Sequence, residues 1–188
     1  MERGLRLHNG GPCGGSSDSD SYHHHCGRLG AASLLALLLG GCRTPDPQKE
    51  LRLSDLEAYW AIDSMVGTTQ YISPVVRFRV KSLAAEPLRS VEATVAFKRK
   101  GEENITWGTD WQRVTTPTKP LQPGQDALVI MKSDARYYSQ GPLDGMFNHA
   151  QFKDAKAVIF LKVGASDWSR FAEVEAERRI GSRSALVQ

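Results

Sequence analysis

The sequence predicts an all-β protein, an antiparallel sandwich of seven or eight strands, on three observations. Apolar and polar residues alternate at a period of two through most of residues 51–180. Turn-forming residues interrupt that alternation every 8–15 residues. The body lacks the 3.6-residue apolar repeat of an amphipathic helix. A closed β-barrel is the alternative use of the same strands.

The strands follow in order. Leu56, Ala58, Trp60 and Ile62 share one face, opposite Asp55, Glu57 and Asp63. Ile72, Val76, Phe78 and Val80 share the next, with Arg77, Arg79 and Lys81 turned away, a basic row that suits a solvated strand face. Val91, Ala93, Val95 and Phe97 alternate with Glu92 and Lys98. Residues 100–104 form a turn, and Ile105, Trp107, Thr109 and Trp111 continue as its return strand. Pro117, Pro120, Pro123 and Gly124 make 116–124 a loop. Leu128 and Ile130 then oppose Val129 and Met131. The polar stretch 133–145 carries Tyr137 and Tyr138, and 146–152 fits a short helical turn. The run from Ala155 to Val163 is the most continuously apolar and is expected as the central strand. Gly164 to Asp167 turns the chain into a last segment, 168–180, in which Phe171, Val174 and Ala176 mix with Glu173, Glu175 and Glu177.

A length of 188 residues fits one domain with appendages. With 40% hydrophobic and 24% charged residues the bulk of the chain can bury a core. The net charge of +3 is too small for a dedicated nucleic-acid binder. No apolar run reaches the roughly 18 residues of a membrane span. These averages hide a split. Residues 1–41 hold nine of the 17 glycines, four of the five histidines, Cys13 and Cys26, but only one aromatic, Tyr22. No core can be built from that composition.

The sharpest signal lies at the boundary. After Arg28 comes an apolar run, Leu29 to Leu39, and then Gly40, Gly41 and Cys42. A basic residue, a short apolar run and small residues is the layout of an export signal. Leu39-Gly40-Gly41-Cys42 resembles the lipobox of bacterial lipoproteins, with Leu at −3, small residues at −2 and −1, and Cys at +1. The chemistry explains each type. A thiolate can accept diacylglycerol as a thioether, and small residues let an extended chain enter the signal-peptidase cleft. The resemblance implies cleavage before Cys42, acylation of the new amino terminus (the palmitate class of modification), and anchoring in a bacterial envelope facing the periplasm. Arg43, where Asp would hold an enteric-type lipoprotein in the inner membrane, favours the outer membrane. The domain plan is therefore an N-terminal extension (1–27, disordered or from an over-called start codon), a signal segment (28–41), a tether (42–50), a β-sandwich (51–182) and a tail (183–188).

A second resemblance concerns the body. Val75-Val76-Arg77-Phe78-Arg79-Val80-Lys81-Ser82-Leu83, then Glu86 to Ala93, then Leu121-Gln122-Pro123-Gly124-Gln125, are similar to the immunoglobulin-like envelope domains of the FxLYD type. There, two strands flank a short polar loop and a Leu-x-Pro-Gly turn precedes the next strand. This implies an immunoglobulin-like sandwich and says little about function.

The mature chain is poor in catalytic side chains. Its one histidine, His149, lacks a nucleophile elbow or an oxyanion-type glycine motif nearby. One His and no free Cys cannot supply a zinc site, and no calcium or phosphate loop is present, so no metal or cofactor is expected. His23, His24 and His25 are expected to leave with the signal. The aromatics are more informative. Trp107 and Trp111 fall on one face of their expected strand, and with Tyr137, Tyr138 and Trp168 they can form a stacking platform for a sugar, peptidoglycan or a protein. The competing use of these rings is to fill the core. The expected function is a non-enzymatic envelope lipoprotein, anchored in the membrane at Cys42, that binds or scaffolds an envelope protein or glycan. The alternatives are a lipid- or polysaccharide-handling accessory, or an envelope hydrolase using His149 with Asp144 or Asp154.

Overall fold

The computed structural model describes residues 44–181. The extension, the lipobox Leu39, Gly40, Gly41 and Cys42, and the tail 183–188 lie outside the described residues. Two sheets pack face to face. The first has the order β5 (Asp126–Lys132), β2 (Thr69–Ser82), β1 (Leu51–Val66), β9 (Glu177–Gly181), and β6 (Tyr137–Ser139) also pairs with β2. The second runs β4 (Gly108–Arg113), β3 (Val91–Arg99), β7 (Ala155–Val163), β8 (Ser169–Glu175). Two single-turn helices, α1 (Pro47–Glu50) and α2 (Leu143–Met146), complete the described elements.

The long hairpin of β1 and β2 is the frame. It pairs from Leu51 opposite Ser82 to Val66 opposite Thr69, with register shifts between Ser54 and Glu57 and between Ile62 and Ser64. Its core-facing residues change phase on the way: Leu51 and Leu53 are odd-numbered, while Leu56, Ala58, Trp60 and Ile62 are even. A bulge between Ser54 and Glu57 absorbs the extra residue. Asp55 supplies it in the left-handed region at φ 50°, which Asp tolerates better than most residues.

Three departures from the sequence expectation have physical causes. First, nine strands are present among the described residues, not seven or eight. One added strand is β6, three residues long, inside the polar stretch 133–145. The other arises because 168–180 is cut at Ala176, whose N–H donates to the Ala155 carbonyl as the chain crosses between sheets. Second, β9 is parallel to β1, not antiparallel, because it continues in the direction of β8 after that crossing. Third, the tether expected over 42–50 is shorter. Asp46 caps α1 by accepting from Gln48 N–H at 3.1 Å, Pro47 is buried, and Gln48 Nε2 donates to Arg170 O at 2.6 Å.

The core fills the space between the sheets with Trp60, Phe78, Phe97, Ile159, Leu161 and the valines Val76, Val80, Val91 and Val95. A smaller cluster, Tyr59, Ala61 and Val75, lies on the outer face of the first sheet. The Arg179 guanidinium covers it, 4.6 Å from the Tyr59 ring centroid. The β4 and β5 edges of the two sheets are stitched by carboxylates. Asp110 Oδ2 accepts from Lys132 N–H at 2.9 Å, and Asp134 Oδ1 accepts from Thr109 N–H at 2.7 Å.

Candidate functional site

The site forms where the chain after β5 folds back over the far end of the β1–β2 hairpin. β6 pairs Gln70, Tyr71 and Ile72 with Ser139, Tyr138 and Tyr137. The alternation of a strand then turns Tyr137 inward and Tyr138 outward. Tyr137 lies against Trp60, Trp107 and Phe152, with ring centroids 5.8, 5.0 and 5.1 Å away. Phe147 closes the cluster against Phe152 at 5.3 Å and against Trp60 at 6.3 Å. The Trp60 indole N–H is enclosed by these rings and has no acceptor among the described residues.

Above this aromatic floor opens a cleft of about 840 Å³. Its walls combine rings (Tyr137, Tyr138, Phe152) with planar or hydroxyl hydrogen-bonding groups (Ser139, Gln140, Gln151, His149), and Arg99 and Arg136 stand at its sides. Tyr138 is 69% exposed and leans on Tyr71 at 6.3 Å. The Arg136 guanidinium sits 4.4 Å from the Tyr71 ring centroid. Flat apolar rings beside planar amide and guanidinium groups can stack on the C–H face of a sugar and hydrogen-bond its hydroxyls at the edge.

Charge at the cleft is organised in two clusters. Glu102 pairs with Arg99 at 2.5 Å and also with Lys153. Asp63 pairs with Arg136 at 3.2 Å and also with Lys132. Each carboxylate serves two cations, so both clusters carry an excess of positive charge. The hydrogen bond from Lys153 holds the Glu102 carboxyl below its ordinary range, and that from Lys132 does the same for Asp63, both against the opposing effect of desolvation. Arg178 grips Asp154 with two hydrogen bonds, at 2.7 and 2.9 Å, and lies 5.7 Å from the Phe152 ring centroid.

The aromatics expected as one platform are dispersed. Trp107 precedes its strand, because β4 begins only at Gly108. Its N–H donates to Phe97 O at 2.8 Å and its ring turns under the cleft, beneath Arg99 at 5.8 Å. The reason is Gly108 itself. It is buried against the 133–135 segment, and a Cβ there would overlap Ser133 Oγ and come within 2.9 Å of Ala135 Cβ. Trp111 pairs with Thr94 on the outer face of the second sheet, 52% exposed, with Arg113 5.9 Å from its ring. Trp168 lies at the opposite end of the sandwich. Tyr137 and Tyr138 alone of the named rings line the cleft.

His149 is exposed on the cleft wall, and its Nδ1 accepts from Gln151 N–H at 3.2 Å. Asp154, one of its possible carboxylate partners, is engaged by Arg178 instead. The cleft residues Arg99, Arg136, Gln140, Gln151 and Phe152 carry no motif. For Arg136 and Gln140 the signal available is the long polar stretch 133–145 that carries them; Arg99, Gln151 and Phe152 lie outside it and had none.

No protein-family model matches the chain, and no curated protein matches it. Among solved structures, a Bordetella pertussis protein titled ApaA is similar at a TM-score of 0.35 and 9% identity, over 69% of this chain and 94% of that one. A similarity of that size fixes neither fold nor function.

Proposed function

We propose that the protein is a lipid-anchored lipoprotein of a bacterial envelope, facing the periplasm, and that its sandwich holds another envelope component without catalysing a reaction. The observation that carries this reading is a spacing. Cys42, the acceptor implied by the lipobox resemblance, stands five residues before Pro47, the first buried residue of the described fold. The signal ends where the folded domain begins. Two or three acyl chains on that residue give effectively permanent anchoring, at about 0.8 kcal/mol per buried methylene. Arg43 favours the outer membrane. The far-end cleft is the seat for the bound component, and its rings, amides and guanidinium groups suit a glycan. His149 on its wall is exposed, and Asp154, one of the two carboxylates expected to serve it, is held by Arg178 instead, while the Asp144 side chain lies outside the described residues.

The test is the intact mass and detergent partitioning of the protein from its native membranes, beside Cys42→Ser. The expected result is a chain starting at Cys42 with added acyl mass, and a variant that leaves the membrane fraction. An unmodified chain from Met1 in the aqueous fraction overturns the reading.

A further inference from the structure

The two ends of the sandwich differ. At the first end lie α1, the start of β1 and three loops that are tied together. Leu83 N–H donates to Glu50 O at 2.8 Å, Leu88 pairs with Leu121, and Gly164 N–H donates to Ser90 O at 2.8 Å. The cleft is toward the other end, where β6 lies alongside the first residues of β2. From Leu51 to Trp60, whose ring lies under the cleft, is nine residues, roughly 30 Å at about 3.3 Å each.

Resting on the lipoprotein reading, we infer that the first end of the sandwich lies on the lipid surface and holds the cleft away from it. From Cys42 to Pro47 is five residues, which fully extended span at most about 18 Å. Pro47 is buried and Gln48 is bonded to Arg170 O, so the tether cannot lengthen without undocking α1. A leash of that length keeps the α1 end near the headgroups and cannot bring the far end down in its place. The chemistry of the loops fits that position. They expose Leu83 (51%) and Trp168 (40%), and the Lys162 ammonium lies 5.8 Å from the Trp168 ring centroid. An indole beside a lysine is the side-chain pair favoured where hydrocarbon meets water. Lys81, Arg89 and Lys119 are exposed around them, against Glu86 and Asp167. Asp126 is occupied by Arg79 at 2.6 Å. The partner is therefore a bilayer surface with anionic headgroups. Exposed apolar side chains also stand at the cleft end, at Met65, Val66 and Ile105, so it is the tether that decides between the ends.

The mature chain makes this simple to test, since its one cysteine would be blocked as a thioether. Leu83→Cys, Trp168→Cys, Met65→Cys and Ile105→Cys are each labelled with a nitroxide in the acylated protein. Accessibility to an aqueous relaxation agent is then compared between the acylated protein on anionic vesicles and the same labelled chain carrying Cys42→Ser, free in buffer. The expected result is that labels at 83 and 168 lose most of their aqueous accessibility in vesicles only, while those at 65 and 105 do not change. Quenching of native Trp fluorescence by brominated lipid, lost in Trp168→Phe, is the parallel readout with no label. Equal accessibility at all four sites on a protein whose mass carries acyl chains overturns the orientation and leaves the lipoprotein reading standing. Protection at 83 and 168 that persists in the Cys42→Ser chain free in buffer means a protein covers this end and also overturns it. A protein without acyl mass removes both.

Discussion

Tyr137 and Tyr138 are adjacent in β6 and point to opposite sides of it. Tyr137 packs against three rings of the core, and its hydroxyl accepts from Lys153 N–H at 3.3 Å. Tyr138 touches Tyr71 and is otherwise open to solvent. Tyr137→Ala should lower stability by about 3 kcal/mol, as large-to-small changes among packed rings do, measured by denaturant unfolding. Tyr138→Ala should stay within about 0.5 kcal/mol of the parent. It should instead weaken the binding of soluble envelope glycan fragments, read by titration calorimetry. Equal losses of stability in the two variants would make Tyr138 part of the core and remove it from the cleft. The sequence announced that neighbouring residues of a strand diverge. It could not say which tyrosine turns inward, because that depends on register against Tyr71 and Ile72, contacts 67 and 65 residues away. Trp107 failed for a similar reason. Its spacing from Trp111 holds only if the strand includes both, and the close approach of Gly108 to Ser133 starts the strand one residue too late.

At the scale of elements, the strands with strong alternation were legible, and β1, β2, β3 and β7 lie where their patterns placed them. The short ones were not. β6 and β9 have three and five residues, too few for a period-two signal, and both depend on partners distant in sequence. β9 shows what replaces local propensity. It makes three pairings with β1, at Tyr59, Trp60 and Ala61, and its hold is reinforced by side chains. Glu57 accepts from Arg77 at 2.6 Å and from Arg179 at 2.9 Å, joining β1, β2 and β9 across one face. Glu57→Gln should cost about 1 kcal/mol, the scale of partly exposed ion pairs. Its distinguishing effect should be local, with amide hydrogen exchange rising in 177–181 well before it rises in β3 or β7. Uniform acceleration across both sheets would mean that β9 has no separate hold on β1.

For the whole molecule, the carboxylates set the response to acid. Arg77 holds the Glu57 carboxyl below its ordinary 4.5, and Lys132 and Arg178 hold those of Asp63 and Asp154 below their ordinary 3.8. A group whose folded pKa is lowered contributes stability that is present above its unfolded value and is lost as pH falls through the folded one. The denaturant midpoint should therefore be flat from neutrality to about pH 5 and fall below about pH 4.5, where the carboxylates of the unfolded chain start to bind protons. A midpoint that rises between pH 5 and 3 would contradict the ion pairing. The long first strand has a mechanical consequence as well. A pull between the chain start and the cleft runs lengthwise down β1, which is extended apart from the bulge at Asp55 and the register shift after Ile62. Such a strand has little slack to give, so it acts as a strut. Load applied at the cleft would reach the point of attachment without the domain having to stretch.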